Sequence, residues 1–137
     1  MAPDMEDLKA MWLDLKARVD QLAGERQQYL EFFELSPEAY LVTDPAGTIL
    51  EANGAAVDIL QRRKRYLRGK PFSALVALDQ RMRFRASLRE LVGGVGPAGF
   101  STIVVAAETR VELALNGRLI GRPGEASGIC WRLQAAQ

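Results

Sequence analysis

The chain has 137 residues, 48% of them hydrophobic, and its 18 Lys and Arg residues nearly balance its 17 Asp and Glu residues. This length and composition are typical of one folded domain with an appended element, and they exclude a disordered or membrane-spanning chain. Because the sequence has no histidine and one cysteine, Ser-His-Asp and Cys-His nucleophiles, His-ligated haem and the usual zinc sites are excluded, and we expect no enzymatic activity and no metal.

The N-terminal residues predict a long helix. With Met5 at heptad position a, the a and d positions up to residue 33 are apolar except for Arg26, which is typical of a coiled coil. An amphipathic helix folded back on its own domain would give the same pattern. We predict a dimerisation helix over residues 1–35 and a second domain over residues 36–137. The predicted dimer contacts on the helix are Met5, Leu8, Trp12, Leu15, Val19, Leu22, Tyr29 and Phe33.

The stretch VTDPAGTILEANGAA, residues 42–56, predicts a strand, a turn, a strand and a capped helix. In the tight turn, an aspartate can accept from backbone amides, a proline presets φ and a glycine closes the reversal. An asparagine then stands where a helix N-cap belongs. The structural residues of this motif are Asp44, Gly47, Ile49 and Asn53.

The rest of the chain predicts a helix in DQRMRFRASLRELV, whose apolar face includes Met82, and then three strands in FSTIVVAA, RVELALNGRLI and SGICWRLQ. The element order after the first helix is β-β-α-α-α-β-β-β. We therefore predict an α+β fold, a five-stranded antiparallel sheet with helices on one face, preceded by the long amphipathic, coiled-coil helix.

The residues DPAGTILEAN, the later LRGKPF and the three C-terminal strands resemble a bacterial-type PAS sensor and interaction domain with an N-terminal flanking helix. The resemblance covers residues 31–135. It implies a signalling module of a sensory or regulatory pathway that homodimerises and acts on a protein partner or a covalently following effector domain. We expect a cytoplasmic location, because the acidic N-terminus lacks the regions of a signal peptide.

The resemblance also bears on cofactors. Haem-binding PAS domains use a histidine on the long helix, and flavin photoreceptors carry a reactive cysteine in a helical motif. This chain has LRGKPFSAL in the corresponding region and its cysteine, Cys130, on the last strand. It therefore implies no His-ligated haem and no cysteinyl-flavin. A small-molecule sensor for an anionic metabolite or a non-covalent cofactor stays open as the alternative function.

The last two strands each have an apolar and a more polar face, and the pattern allows either face to be buried. The alternation alone favours an apolar core. The resemblance favours the opposite phase, with Leu113, Trp131 and Leu133 on an outer face that forms part of the dimer interface. The candidate pocket residues on this interpretation are Leu41, Thr43, Val57, Leu60, Leu67, Phe72, Leu75, Phe84, Leu88, Ile103, Val105, Glu112, Asn116, Cys130 and Arg132.

Charge is distributed unevenly along the chain. Residues 1–60 carry 12 acids and 4 bases, whereas residues 61–89 carry 10 bases and one acid. We expect the two segments to attract each other; a site for an anionic ligand would explain the same pattern. The basic segment has few aromatic residues and no recognition motif, so we expect no nucleic-acid partner, and no membrane partner either.

Overall fold

The computed structural model describes residues 4–136, and the chain divides into two compact units between Phe33 and Glu34. Helix α1 (Met5–Leu35) makes up the first unit and reaches into the second. The Asp4 carboxylate caps it by accepting a hydrogen bond from the Asp7 amide at 2.9 Å. None of the residues from Met5 to Leu35 is buried.

The second unit is an antiparallel sheet with helices on one face. Its strands are β1 (Ala39–Thr43), β2 (Ile49–Ala52), β3 (Gly99–Ala106), β4 (Thr109–Ile120) and β5 (Gly128–Ala135), in the spatial order β2-β1-β5-β4-β3. Between β2 and β3 lie α2 (Gly54–Leu60), α3 (Lys64–Leu67), 3-10 turns at Phe72–Ala74 and Leu78–Gln80, and α4 (Arg81–Val92). The predicted α+β fold and five-stranded sheet are confirmed. On α4, however, Met82 is exposed, and the apolar face consists of Phe84, Leu88 and Leu91.

The turn between β1 and β2 has the predicted chemistry. The Asp44 carboxylate accepts from the Thr48 amide at 2.8 Å, and the Gly47 amide donates to the Asp44 carbonyl at 3.0 Å. Gly47 has a φ of 95°, a conformation that only glycine adopts without strain. The turn fixes the register that brings β1 and β2 together.

Asn53 joins three elements. Its side-chain oxygen accepts from the Ala56 amide, as the N-cap of α2, and from the Tyr40 amide of β1, both at 3.0 Å. Its side-chain nitrogen donates to the Glu38 carbonyl at 2.8 Å. Asn53 is fully buried, and its bond to the Ala56 amide is buried as well, so it satisfies a backbone group that water cannot reach.

The hairpin between β3 and β4 turns through Ala107 and Glu108, both at positive φ, 48° and 68°. Positive φ at both central residues is characteristic of a type I′ turn, which usually contains glycine or asparagine. Neither residue here is of that kind, so the register of the long strand ladder holds the turn against its own preference.

Two ion pairs link the basic segment to the acidic one. Lys64 contacts Glu34, and Arg68 Nη2 lies 2.9 Å from Glu51 Oε2. These contacts agree with the expected attraction between the segments, although partly exposed pairs of this kind contribute little to stability. In residues 4–136, no helix is long and apolar enough to cross a bilayer.

Replacing Asn53 with alanine should lower the free energy of unfolding by roughly 2–4 kcal/mol, because a helix cap is lost and buried backbone groups lose their partners. Urea denaturation followed by circular dichroism measures the change. The control is Asn116→Ala at an exposed position of β4, which should cost less than about 0.5 kcal/mol. Equal costs for the two variants would contradict the structural role of Asn53.

Candidate functional site

The second unit contains a cluster of four aromatic rings between its helices and its sheet. The rings of Phe72 and Phe84 stack at 5.0 Å between centroids, and Phe100 meets the Trp131 indole edge-on at 5.8 Å. Trp131 also lies 6.1 Å from Phe72 and 6.4 Å from Phe84. Helical and sheet residues thus fill this space with a single aromatic cluster.

Trp131 holds a fixed position at the centre of the cluster. It lies on the central strand β5, and its Nε1 donates to the Thr43 hydroxyl at 3.0 Å. Its cross-strand neighbour is Gly117. A Cβ at Gly117 would lie 2.5 Å from Leu91 Cδ2 and 2.9 Å from Trp131 Cζ3. Leu91 and the indole together therefore leave no room for a side chain at position 117.

The predicted orientation of the last two strands is wrong. Leu113, Trp131 and Leu133 are 0%, 1% and 3% exposed, so they pack in the core beneath the helices and do not form an outer interface. The polar candidates Glu112, Asn116 and Arg132 are exposed on the opposite face, with Cys130 half-buried among them. The helices cover only one face of the sheet, and burial of the large apolar set against them decides the phase.

Most of the other pocket candidates do come together, as members of the core. Seven are buried in one apolar cluster, and Val57 packs against it. Thr43 is buried beside Trp131. The seven are Leu41, Leu60, Leu67, Phe72, Leu75, Phe84 and Leu88.

The two candidates on β3 were assigned to the wrong face. Thr102 and Val104 are buried, whereas Ile103 and Val105 alternate with them on the other side and are half-buried. Together with Phe100, the inner set was missed by the sequence analysis. Counting every second residue of FSTIVVAA from its phenylalanine gives Phe100, Thr102 and Val104, so the alternation could have identified the inner face.

Several grooves open at the surface of this unit, and three of them concern the candidate residues. One of about 570 Å³ lies between the β1–β2 turn and α4, and it is lined by Arg85, Leu88 and Arg89. A second, of about 380 Å³, lies between α4 and β3. The third, of about 440 Å³, lies on the outer sheet face, where the candidates Asn116, Cys130 and Arg132 meet Tyr40 and Arg118.

Local contacts shift the pKa values of Cys130 and Tyr40. Burial raises the pKa of the Cys130 thiol, and the nearby Arg118 charge opposes that effect only in part. The Tyr40 hydroxyl donates to the Glu38 carboxylate at 2.6 Å, and this bond raises the pKa of the phenol. Within residues 4–136, no cluster of three or more His, Cys, Asp and Glu side chains could hold a metal ion.

The comparison with protein families agrees with this architecture. Residues 33–134 match the family model described as the PAS fold. The chain belongs to the PAS fold family. No curated protein sequence matches it significantly.

Solved PAS domains share the fold at low sequence identity. The PAS domain of an HTR-like protein from Haloarcula marismortui is 16% identical with a TM-score of 0.69, and the match covers 88% of this chain and 99% of that one. The PAS domain of a LuxR-family transcriptional regulator from Burkholderia thailandensis, solved with ethanol, is 18% identical with a TM-score of 0.67, over 78% and 96% of the two chains. A domain of a sensory box sensor histidine kinase/response regulator from Geobacter sulfurreducens is 17% identical with a TM-score of 0.65, over 82% and 96%.

Replacing Gly117 with alanine should lower the free energy of unfolding by about 1–3 kcal/mol, because the new methyl group overpacks the space beside the indole. Adding Trp131→Phe should recover part of that loss, since the smaller ring leaves room for the methyl group. A double-mutant cycle measured by urea denaturation gives the coupling energy. Strictly additive costs would contradict the packing assigned to this pair.

Proposed function

We propose that this PAS domain is a regulatory module without catalytic activity that homodimerises through α1. In this role it transmits a signal to a protein partner or to an effector domain. The observation that carries the proposal is the apolar seam of α1, which is exposed from Met5 to Tyr29, whereas its last predicted member, Phe33, is half-buried. The seam residues Met5, Leu8, Trp12, Leu15, Val19, Leu22 and Tyr29 are 49–82% exposed.

A second copy of the chain supplies the apolar cover that the seam needs. The residues recur at heptad spacing, so two copies of α1 can pack knobs into holes over several turns. Exposed apolar stripes of this size mark association sites in soluble proteins. Each seam side chain that becomes fully buried contributes roughly 1.5–3 kcal/mol.

The single charged residue of the seam favours a parallel arrangement. Arg26 occupies an a position, and Glu25 stands just before it at a g position. In a parallel coiled coil with the two chains in register, the g residue of one helix borders the hole that receives the next a residue of the other. Each Arg26 would then face Glu25 of the second copy. This pair would make the alignment of the two helices more specific, although a charged seam residue lowers the stability of the coiled coil.

The aromatic cluster in the interior supports the proposal that the domain works by association with other protein chains. Trp131 and the three phenylalanine rings occupy the space between helices and sheet, which leaves protein contacts as the more direct input. The relatives found in a transcriptional regulator and in a sensor kinase support the assignment to a regulatory pathway.

Leu15→Asp combined with Leu22→Asp should convert the dimer to monomer, because two charges would be placed in each seam. The matched control is Ala10→Asp combined with Ala17→Asp, which puts the same charges at outward f positions of α1 and should stay dimeric. Sedimentation velocity at about 100 µM distinguishes the two states, since a micromolar dimer is almost fully formed there. A monomeric wild-type chain, or equal dissociation by both pairs, would reject the proposed interface.

One observation favours binding of an anionic metabolite as the second candidate function. Arg85 and Arg89 lie one helical turn apart on α4, and both line the groove of about 570 Å³. The apolar side chains of Leu88 and Val92 line the same groove. A molecule with a carboxylate and an apolar body would suit this combination.

Native mass spectrometry of the purified protein decides between the two candidates. For the association module we expect twice the chain mass of 15.1 kDa, with no stoichiometric adduct. A co-purified small anion that Arg85→Gln with Arg89→Gln removes would instead support the sensor. Lys9→Gln with Lys16→Gln on α1 removes the same charge elsewhere and serves as the control.

A further inference from the structure

Strand β3 ends the sheet on one side, because β4 is its only neighbour in the strand order. The amide and carbonyl groups of its odd-numbered residues point away from β4. Two bonds fix this direction: the Ala77 amide donates to the Ile103 carbonyl at 2.8 Å, and the Val105 amide donates to the Leu75 carbonyl at 2.9 Å. By the alternation of a strand, the backbone groups of Gly99 and Ser101 point the same way.

The edge is covered over only half its length. The segment 75–77 protects Ile103 and Val105 through these bonds and through the bridge between Val76 and Val104. The outward-pointing amide and carbonyl groups of Gly99 and Ser101, and the Ile103 amide, form no backbone hydrogen bond with any residue in the described range 4–136. Native proteins usually block such edges, because free strand groups bind other strands. An uncovered stretch beside a covered one therefore suggests a site for another strand.

A groove runs beside the open stretch. It has a volume of about 380 Å³, with Phe84 and Phe100 among its apolar walls. Its polar walls include Gln80, Arg83 and Ser87 on the helix side and Glu112 on the sheet side. Arg83 forms no ion pair within the described residues. Thr102 also lines the groove; it is 4% exposed, and its hydroxyl is the buried side-chain polar atom that has no hydrogen-bond partner among residues 4–136.

We propose that the β3 edge from Gly99 to Ile103, with the groove between β3 and α4, binds an extended peptide segment of a partner protein that carries an acidic side chain. The peptide adds to the sheet as a sixth strand and exchanges backbone hydrogen bonds with Ser101. Its alternate side chains enter the groove over Phe84 and Phe100, where the acidic one reaches Arg83. This surface goes beyond the proposed dimer, since it uses no residue of α1.

The size of the open edge favours a peptide over a second copy of β3. Five residues of strand span roughly 16 Å, and the segment 75–77 closes the edge at its far end. A short flexible segment fits this length, whereas a strand as long as β3 would run into that segment. The unpaired Arg83 adds a preference for negative charge that a second copy of Gly99–Ile103 lacks.

The test uses the peptide fluorescein-TVTETVT-amide, labelled at its N-terminus, which alternates threonine with valine or glutamate and whose sequence reads the same in both directions. Fluorescence anisotropy with the full chain should show saturable binding. Ser101→Pro removes the outward amide without touching the bonds to β4, and it should weaken binding about tenfold or more. Ser101→Ala keeps the amide and should bind like the wild type.

Two further arms keep the test decisive if Ser101→Pro does not fold. A peptide N-methylated at alternate residues cannot donate to the edge and should bind the wild-type chain at least about tenfold more weakly. Arg83→Gln should weaken binding of the glutamate peptide and should not weaken binding of the matched peptide TVTKTVT, whose lysine the Arg83 charge repels. The proposal would be overturned if the peptide showed no saturable binding, or if N-methylation did not weaken its binding. It would also be overturned if the chain self-associated, Ser101→Pro abolished that self-association and the peptide did not bind.

Discussion

The indole of Trp131 is the constraint on which the rest of the domain depends. It lies on the central strand, so every layer of the core is arranged around it. Together with Leu91, its bulk leaves no room for a side chain at Gly117, and its N–H requires an acceptor, which Thr43 supplies. Three phenylalanine rings then close around it. Four aromatic side chains thus lie in contact between the helices and the sheet.

Local chemistry was predictable from the sequence, whereas the choice between two faces was not. The Asp44 turn and the Asn53 cap depend on residues a few positions apart, whose preferences are expressed in any fold. The strand phase depends on which face the helices cover, and alternation by itself leaves that open. The sequence analysis therefore assigned Trp131 to the outer face of the sheet, and it assigned Ile103 to the core in place of the neighbouring Val104. The groove beside β3 could not be predicted, because residues far apart in the sequence form it.

The domain carries two kinds of unsatisfied surface, and their physics differs. The seam of α1 consists of apolar side chains, which associate without strong directional demands and gain free energy by leaving water. The edge of β3 consists of backbone groups, which accept only an extended chain in register. The first suits a constant assembly of two copies. The second suits a partner that arrives and leaves, because a short strand buries little area.

The hairpin of β3 and β4 has a consequence for the order of folding. Its turn residues Ala107 and Glu108 sit at positive φ without being glycine or asparagine, so the isolated segment has little tendency to reverse there. The β3–β4 ladder is then poorly suited to nucleate from its own loop. The contacts that hold it, above all those of Trp131 on β5, come from the far end of the chain. The domain should therefore fold through a late, non-local transition state, and its β half should acquire structure only once the final strand is available.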